Sequence, residues 1–494
     1  MKRSIKKITF HITGLVLAIM LLGCASQSTS PDVKTDQKTA ADVDASDGAE
    51  TGNDGTKSVE GAINKKDDAE DDKAAQNTTD TEKENDMSKQ DIPALRDCVP
   101  KEMDGTFIGC AVTYNEIQDP KVFEIMTTHF NAVTFGNELK PDALFGYHNS
   151  ACPGTVEDNL NGQTITVPKM DFSRAEKMLD MIYDYNEQHP DRKIMVRGHV
   201  LVWHSQTPEW FFHEDYIKTN DYVDKETMNL RLEWYIKTVL EHFTGQDSKY
   251  RDMFYGWDVV NEAVSDNGGV LRTDAEKPEE ALSSDTHGSN SSWYHIYGNE
   301  EFIINAFTYA NKYAPAQLEL YYNDYNECNI AKRNGIIKLL TEIKENEGPA
   351  GEGTRISAMG MQGHYMMDTP SANEVEASAK AYAAVVDAVQ ITELDIRASK
   401  EYDGSDEAKE EENEKLRKRY NMLYYTLKSL KNTAGVDVSG ITFWGTVDHY
   451  SWLQHNSNVG GANTTGLPQM PLLFDENYEP KSAFYVFANT TSND

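Results

Sequence analysis

Residues 256–262 read G-W-D-V-V-N-E. An aromatic and β-branched run of this length suits a buried strand, and it ends on two polar side chains, Asn261 and Glu262. The same design recurs along the chain. Short apolar, β-branched runs lie at 107–112, 132–135, 194–203, 256–260, 318–322, 356–361, 388–392 and 440–444. Helical patterns fall between them, among them 171–186, 227–243, 301–313, 330–345, 374–386 and 413–431. Eight alternating β and α units predict a closed parallel (β/α)8 TIM barrel, with an open doubly wound sheet as the alternative. No G-x-G-x-x-G or G-x-x-x-x-G-K-[ST] opens a helix after a strand, so the nucleotide-binding form of the open sheet loses support.

The barrel pattern occupies 98–494, which is long for one domain but within range for a large barrel. Two segments of a different kind precede it. Lys2, Arg3, Lys6 and Lys7 are followed by an uncharged, mostly apolar stretch over 8–23, ending L-L-G-C at Cys24. That stretch is short for a membrane span and right for a signal-peptide core. The ending resembles a bacterial lipobox, which implies cleavage before Cys24 and lipidation of its thiol. Residues 1–24 are therefore expected to be a lipoprotein signal that gives an extracytoplasmic, membrane-anchored protein. Residues 25–97 hold 19 acidic and 9 basic residues and no Phe, Trp or Tyr. Such a segment buries too little apolar surface to offset its ordering entropy and is expected to be a disordered acidic linker.

The whole chain has 494 residues and carries −34, of which the signal and linker account for little. A folded part this acidic repels phosphate backbones, which argues against nucleic acid as a partner and leaves neutral ligands open. Four of the five cysteines fall after the linker, at 98, 110, 152 and 328. None has metal-ligand spacing, no cofactor motif is visible, and a disulfide among them would have three possible connectivities.

In a parallel barrel the C-terminal strand ends form the active face. Here those ends are rich in polar and aromatic groups: Asn137 and Lys140 after the second strand, His199, Trp203, His204 and Gln206 on the third, Asn261 and Glu262 on the fourth, Asn323 to Asn326 on the fifth, Gln362 and His364 on the sixth, Glu393 and Asp395 on the seventh, and Trp444, Asp448 and Trp452 around the eighth. Glu262 and Glu393 face each other across the barrel mouth. Paired carboxylates are the machinery of glycoside hydrolysis, one protonated to donate to the leaving oxygen and one ionised to attack the anomeric carbon. Glu262, with Trp257 and apolar residues before it, suits the acid. Glu393 suits the nucleophile, with His364 donating to it and Asp395 orienting His364. Trp203, Trp444 and Trp452 offer rings for the C–H faces of sugars, whereas Trp234 lies within a helical pattern and reads as core.

Six motifs carry a resemblance to the glycoside hydrolase family 10 xylanases: G-H-V-L-V-W-H-S-Q-T-P at 198–208, W-D-V-V-N-E-A at 257–263, L-Y-Y-N-D-Y-N at 320–326, M-Q-G-H at 361–364, I-T-E-L-D at 391–395, and W-G-T-V-D with S-W over 444–452. The resemblance implies a (β/α)8 barrel and retaining endo-1,4-β-xylanase activity on xylan or xylo-oligosaccharides. It implies Glu262 as acid/base, Glu393 as nucleophile, and Asn261 as the contact to the 2-hydroxyl of the sugar being cleaved. Asn137, Lys140, His199, Trp203, Gln206, Gln362, His364, Trp444 and Trp452 carry over as sugar-binding or supporting positions.

Three features depart from the pattern. Gly136 stands where the family usually has Glu, which bears on a glycone-side hydrogen bond; Glu138 is the candidate to compensate, although strand alternation is read against it. The segments 146–169 and 264–298 are long and either wall the cleft or form neutral surface loops. The charged run 400–419 reads as a solvated loop leading into a helix. Two other functions fit part of the sequence: a lipid-anchored protein that binds sugars without cutting them, and a β-glucanase.

Overall fold

The computed structural model describes residues 92–147, 150–277, 289–454 and 468–489. The signal segment, Cys24 and residues 25–91 of the linker lie outside the described residues. Helix Leu95–Glu102 overlaps the end of the stretch read as linker. Leu95 and Val99 lie one turn apart on the same helix face and are fully buried. Arg96 donates to the carbonyls of Thr127 and Lys193. A few aliphatic residues at helical spacing were enough to anchor a segment that has no aromatics.

Among the described residues eleven strands follow: β1 (Phe107–Val112), β2 (Ala132–Phe135), β3 (Thr155–Leu160), β4 (Gln163–Pro168), β5 (Met195–Trp203), β6 (Phe254–Asn261), β7 (Glu319–Asp324), β8 (Ala358–Met361), β9 (His364–Met366), β10 (Ala388–Arg397) and β11 (Val438–Phe443). Eight of them pair in parallel in the order β11-β1-β2-β5-β6-β7-β8-β10, and β10 pairs back onto β11 to close the barrel. All eight expected strands are present, and no open edge remains between β10 and β11. Intervening helices include Ser173–Gln188, Lys225–Thr244, Glu301–Tyr313, Ile330–Glu345, Ala372–Ala383 and Asp406–Ser429.

The charged run 400–419 departs from its expected form. Helix Asp406–Ser429 begins at its sixth residue beyond Lys400, because Ser405 caps it by accepting from the Ala408 amide. Pairs one turn apart then support the charged face, Lys415 with Glu411 and Lys418 with Glu414. Segment 146–169 contains the hairpin β3–β4. The hairpin docks on outer helices rather than on Glu262 or Glu393: Trp234 Nε1 donates to Asp158, Asn161 donates to Glu233, and Tyr216 donates to the Thr166 carbonyl. Trp234 is buried, as its helical position suggested. The four described cysteines are free thiols. Cys110 is buried inside β1 and Cys328 sits against the Tyr365 hydroxyl.

The barrel interior is not wholly apolar. Arg197 on β5 is fully buried, ion-paired to Asp258 on β6, and lies 4.5 Å from the centroid of the Tyr321 ring. The other Asp258 oxygen takes His199 Nδ1 at 2.9 Å. Gly198 lies between these two β5 residues because a Cβ there would fall 2.1 Å from the Trp257 indole. A buried cation that loses its only carboxylate is strongly destabilising. Asp258→Ala is accordingly expected to lower unfolding stability by about 3–5 kcal/mol, read from the shift of the urea unfolding curve. A change within about 0.5 kcal/mol would show that Arg197 is stabilised by other means.

Candidate active site

The strand ends converge on two carboxyl groups. Glu262 follows β6 directly and has φ +56°, in the left-handed region that a non-glycine residue seldom occupies. Its amide donates to the Asn323 carbonyl at 2.9 Å, and its carbonyl accepts from Arg272 Nε at 3.0 Å. Those two bonds fix the bend that turns its side chain over the barrel mouth. Its carboxyl accepts from two neutral donors, Trp203 Nε1 at 2.8 Å and Gln362 Nε2 at 2.8 Å.

Glu393 lies within β10 and is 4% exposed. It accepts from Asn323 Nδ2 at 2.8 Å and from His364 Nε2 at 3.1 Å. His364 Nδ1 lies 2.9 Å from Asp395, and the second Asp395 oxygen accepts from Trp452 Nε1 at 2.7 Å. Burial favours the neutral imidazole, but Asp395 and Glu393 together outweigh it and hold the His364 pKa up to about 10. Burial likewise opposes ionisation of Glu393. The His364 hydrogen bond, the His199 and His364 rings and the Asn323 amide outweigh it, and bring Glu393 down to about 2. At neutral pH the site therefore contains an imidazolium clamped between two carboxylates.

Three amides join the carboxyl groups. Gln362 Nε2 donates to Glu262 and, at 3.2 Å, to Asn261 Oδ1. Asn323 Nδ2 donates to the same Asn261 oxygen at 2.9 Å and to Glu393. Thr392 holds Asn323 from behind at 2.6 Å. Gly360 leaves room for Asn323, since a Cβ there would lie 2.3 Å from Asn323 Oδ1.

Of the other expected site residues, Asn137, Lys140, Gln206, His199, Trp444 and Trp452 also lie on this face, and Asp448 does not. Lys140 Nζ bridges Asn137 at 3.2 Å and Gln206 at 2.9 Å, and lies 5.1 Å from the centroid of the Trp203 ring. Burial lowers the Lys140 pKa even though Glu393 and Glu262 face it. Trp444 stands edge-on to His199 at 5.5 Å and to His364 at 6.2 Å. Trp203, Trp444 and Trp452 are each half-buried. Glu138 is turned away: its carboxylate takes the amides of Tyr114 and Asn137. A side chain at Gly136 would press on Thr113, 3.2 Å from its Cβ. Asp448 is structural, paired with Lys481 at 2.7 Å.

Two residues lacked a legible signal. Asn323 stood in a run of four polar residues with nothing to mark which faced inward. Arg272 lies in the long segment after Glu262; besides the Glu262 carbonyl it donates to Ser289 and Tyr325. Trp293 also supports the site, donating from Nε1 to the Trp203 carbonyl at 3.1 Å.

A closed (β/α)8 barrel with two carboxyl groups across its mouth, one ion-paired and one held by neutral donors, defines a glycoside hydrolase of the barrel class. Residues 95–490 match the model described as Glycosyl hydrolase family 10, and the chain belongs to that family. It is 34% identical over 378 residues to the bifunctional endo-1,4-beta-xylanase XylA of Ruminococcus flavefaciens, covering 76% of this chain and 32% of that one. It is 31% identical over 388 residues to endo-1,4-beta-xylanase B of Butyrivibrio fibrisolvens, covering 78% and 52%. The chain thus spans about a third to a half of the length of these curated relatives. Among solved structures it resembles the CBM22-1–GH10 modules of Clostridium thermocellum endo-1,4-beta-D-xylanase 10B complexed with xylohexaose, with TM-score 0.62, 29% identity and coverage of 80% of this chain and 67% of that one. It also resembles xylanase XynB of Paenibacillus barcinonensis, with TM-score 0.61, 27% identity and coverage of 81% and 99%.

The clamp makes stability depend on pH. Glu393 is depressed below its ordinary 4.5, so its contribution is complete above that value and is lost as pH falls through about 2. His364 is raised above its ordinary 6.5, so its contribution is complete below 6.5 and is lost as pH rises through about 10. The contribution of the pair is therefore greatest from about pH 4.5 to 6.5 and declines towards pH 10. His364→Gln should lose this alkaline decline in melting temperature. An unchanged decline in the variant would place its origin elsewhere.

Proposed function

We propose that the chain is an endo-1,4-β-xylanase that hydrolyses internal bonds of xylan with retention of configuration. The observation that carries this reading is the asymmetry of the two carboxyl groups: Glu393 is charge-paired and ionised, whereas Glu262 meets only neutral donors at its carboxyl. The named activities of the relatives and the xylohexaose complex support the substrate class.

In the first step a Glu393 oxygen attacks the anomeric carbon while protonated Glu262 gives its proton to the departing glycosidic oxygen. The product is a glycosyl ester on Glu393, and Glu262 is left as a carboxylate. In the second step Glu262 takes a proton from water, the water oxygen attacks the anomeric carbon, and Glu393 is released. Retention requires the carboxyl groups to lie about 5–5.5 Å apart. Asn261 Oδ1 accepts from two amides, which fixes which end of the group carries the NH2. In this reading that NH2 donates to the 2-hydroxyl of the sugar being cleaved.

Reducing-sugar release by the full chain on glucuronoxylan, arabinoxylan and carboxymethyl-cellulose tests the substrate. Rapid release of short oligosaccharides from the xylans alone is expected. Release from the cellulose derivative at a comparable rate would favour a β-glucanase, and binding without release would favour a capture protein. Glu393→Gln is expected to abolish turnover with the fold intact. Glu262→Ala is expected to slow xylan cleavage by about 10²–10⁴-fold, with much less effect on the first step for an aryl xyloside that needs no acid. Near wild-type xylan cleavage by either variant would reject the assignment.

The lipid anchor also remains a proposal. It rests on the motif at 21–24 and places the enzyme at a bacterial membrane or cell surface, joined by a linker over 25–97 that the described helix shortens at its end. Incorporation of labelled fatty acid into the wild type and not into Cys24→Ala is the expected result; label in neither would reject it.

A further inference from the structure

Strand β9 is only three residues long and, among the described residues, pairs with β10 alone. A fragment of that length does not hold its own position, yet its first residue is His364. Successive residues of a strand point to opposite sides. His364 faces the two carboxylates of β10, and Tyr365 faces away, where it is buried. There the Tyr365 hydroxyl donates to Glu327 Oε1 at 2.6 Å and lies 3.6 Å from Cys328 Sγ. The Arg419 guanidinium carbon lies 5.7 Å from the centroid of the Tyr365 ring. Glu327 is fully buried in the segment just after β7, and the Tyr382 hydroxyl fixes its backbone by donating to its carbonyl at 2.7 Å.

A carboxyl group is a poor choice for that position on stability alone. Glu327 Oε2 is buried without a hydrogen-bond partner. Burial pushes the Glu327 pKa up to about 7, against the Tyr365 hydrogen bond and the charge of Lys332. An apolar side chain of the same size would avoid that desolvation cost. What the carboxyl adds is a directed bond between two elements that both serve Glu393. Asn323 on β7 and His364 on β9 both donate to Glu393. The Glu327–Tyr365 bond joins the segment after β7 to β9 and so sets how the two donors stand relative to each other. We propose that Glu327 and Tyr365 are positioning residues for catalysis, their hydrogen bond holding β9 so that the His364 ring meets Glu393 and Asp395 together. This rests on the reading of Glu393 as nucleophile.

Tyr365→Phe removes one hydroxyl and keeps the ring, and melting curves confirm that the variant is folded. It is expected to lower kcat on an aryl xylobioside by about tenfold or more with KM within about twofold, because the ring it displaces acts in the transition state. Glu327→Met removes the acceptor and should give the same loss, with the double variant no worse than either alone. Glu327→Gln keeps a carbonyl acceptor for the Tyr365 hydroxyl and should stay within about threefold of wild type. In a His364→Gln background Tyr365→Phe should change kcat by less than about twofold, since the ring through which it acts is gone. The titration of His364, followed by NMR of labelled histidine, should move from about 10 in wild type to about 9 or lower in Tyr365→Phe. A bond that only stabilises the fold would lower the melting temperature and leave kcat and the His364 titration in place. That outcome in Tyr365→Phe, or a loss of kcat that persists undiminished without His364, overturns the proposal. Activity retained by Glu393→Gln would overturn the nucleophile reading instead, and the His364 titration would still decide the positioning role.

Discussion

The His364 imidazolium between Glu393 and Asp395 is the contact on which the active face depends. Three buried charges are stable together only if each is paired and its remaining hydrogen-bonding capacity is filled. Asn323 and Trp452 fill it for the two carboxylates. Removal of any member leaves a charge without compensation, so the packing around the group is over-determined. The short strand β9 exists in register with this need: it pairs with β10 so that His364 lies opposite Asp395. The fold thus adds a strand fragment outside the eight-strand plan in order to set one ring.

The two carboxyl groups differ because the strands around them present different donors. On β10, Glu393 meets a cation; just past β6, Glu262 meets an indole and an amide. That difference in partners is what the proposed acid and nucleophile roles rest on. The amide chain between them has a fixed sense. Both Gln362 and Asn323 donate towards Asn261 Oδ1, so the Asn261 side chain can be in only one orientation. An amide flipped at Asn261 would set N–H against N–H. The orientation of the Asn261 amide is therefore decided by residues on β7 and just after β8.

Much of this was legible in the residues, for a physical reason. Strand-end side chains of a parallel barrel must face the same mouth, so periodicity alone gathered Glu262, His364, Glu393 and Asp395. The His364–Asp395 contact also followed, since both lay at the ends of neighbouring strands. What periodicity could not rank were side chains of equal polarity in one run, and Asn323 was lost among Asn323 to Asn326 for that reason. Strand alternation gave no ground to set Glu138 aside, since residues two apart share a side and both 136 and 138 lie past the end of β2; what turns it away is the pair of backbone amides at Tyr114 and Asn137 that its carboxyl group accepts. The charged run 400–419 misled because charge density measures exposure, not conformation. A helix face can be as solvated as a loop, and the cap at Ser405 was the signal that distinguished them.

The long segment after Glu262 shows why loop length and catalytic geometry are not independent here. A loop attached only at its ends could vary without consequence. This one returns through the bridge between Val264 and Leu271 and places Arg272 against the Glu262 carbonyl. Arg272 also reaches Ser289 in the later part of the same segment and Tyr325 beyond β7. One guanidinium therefore ties the loop, the next strand end and the backbone of the acid/base candidate into a single unit. Glu262 has a left-handed backbone that its side chain disfavours, and such a conformation persists only where surrounding bonds hold it. The β3–β4 hairpin, anchored on outer helices, has no such link to Glu262 or Glu393. Of the two long segments, the one after β6 is the one through which sequence change would reach the chemistry.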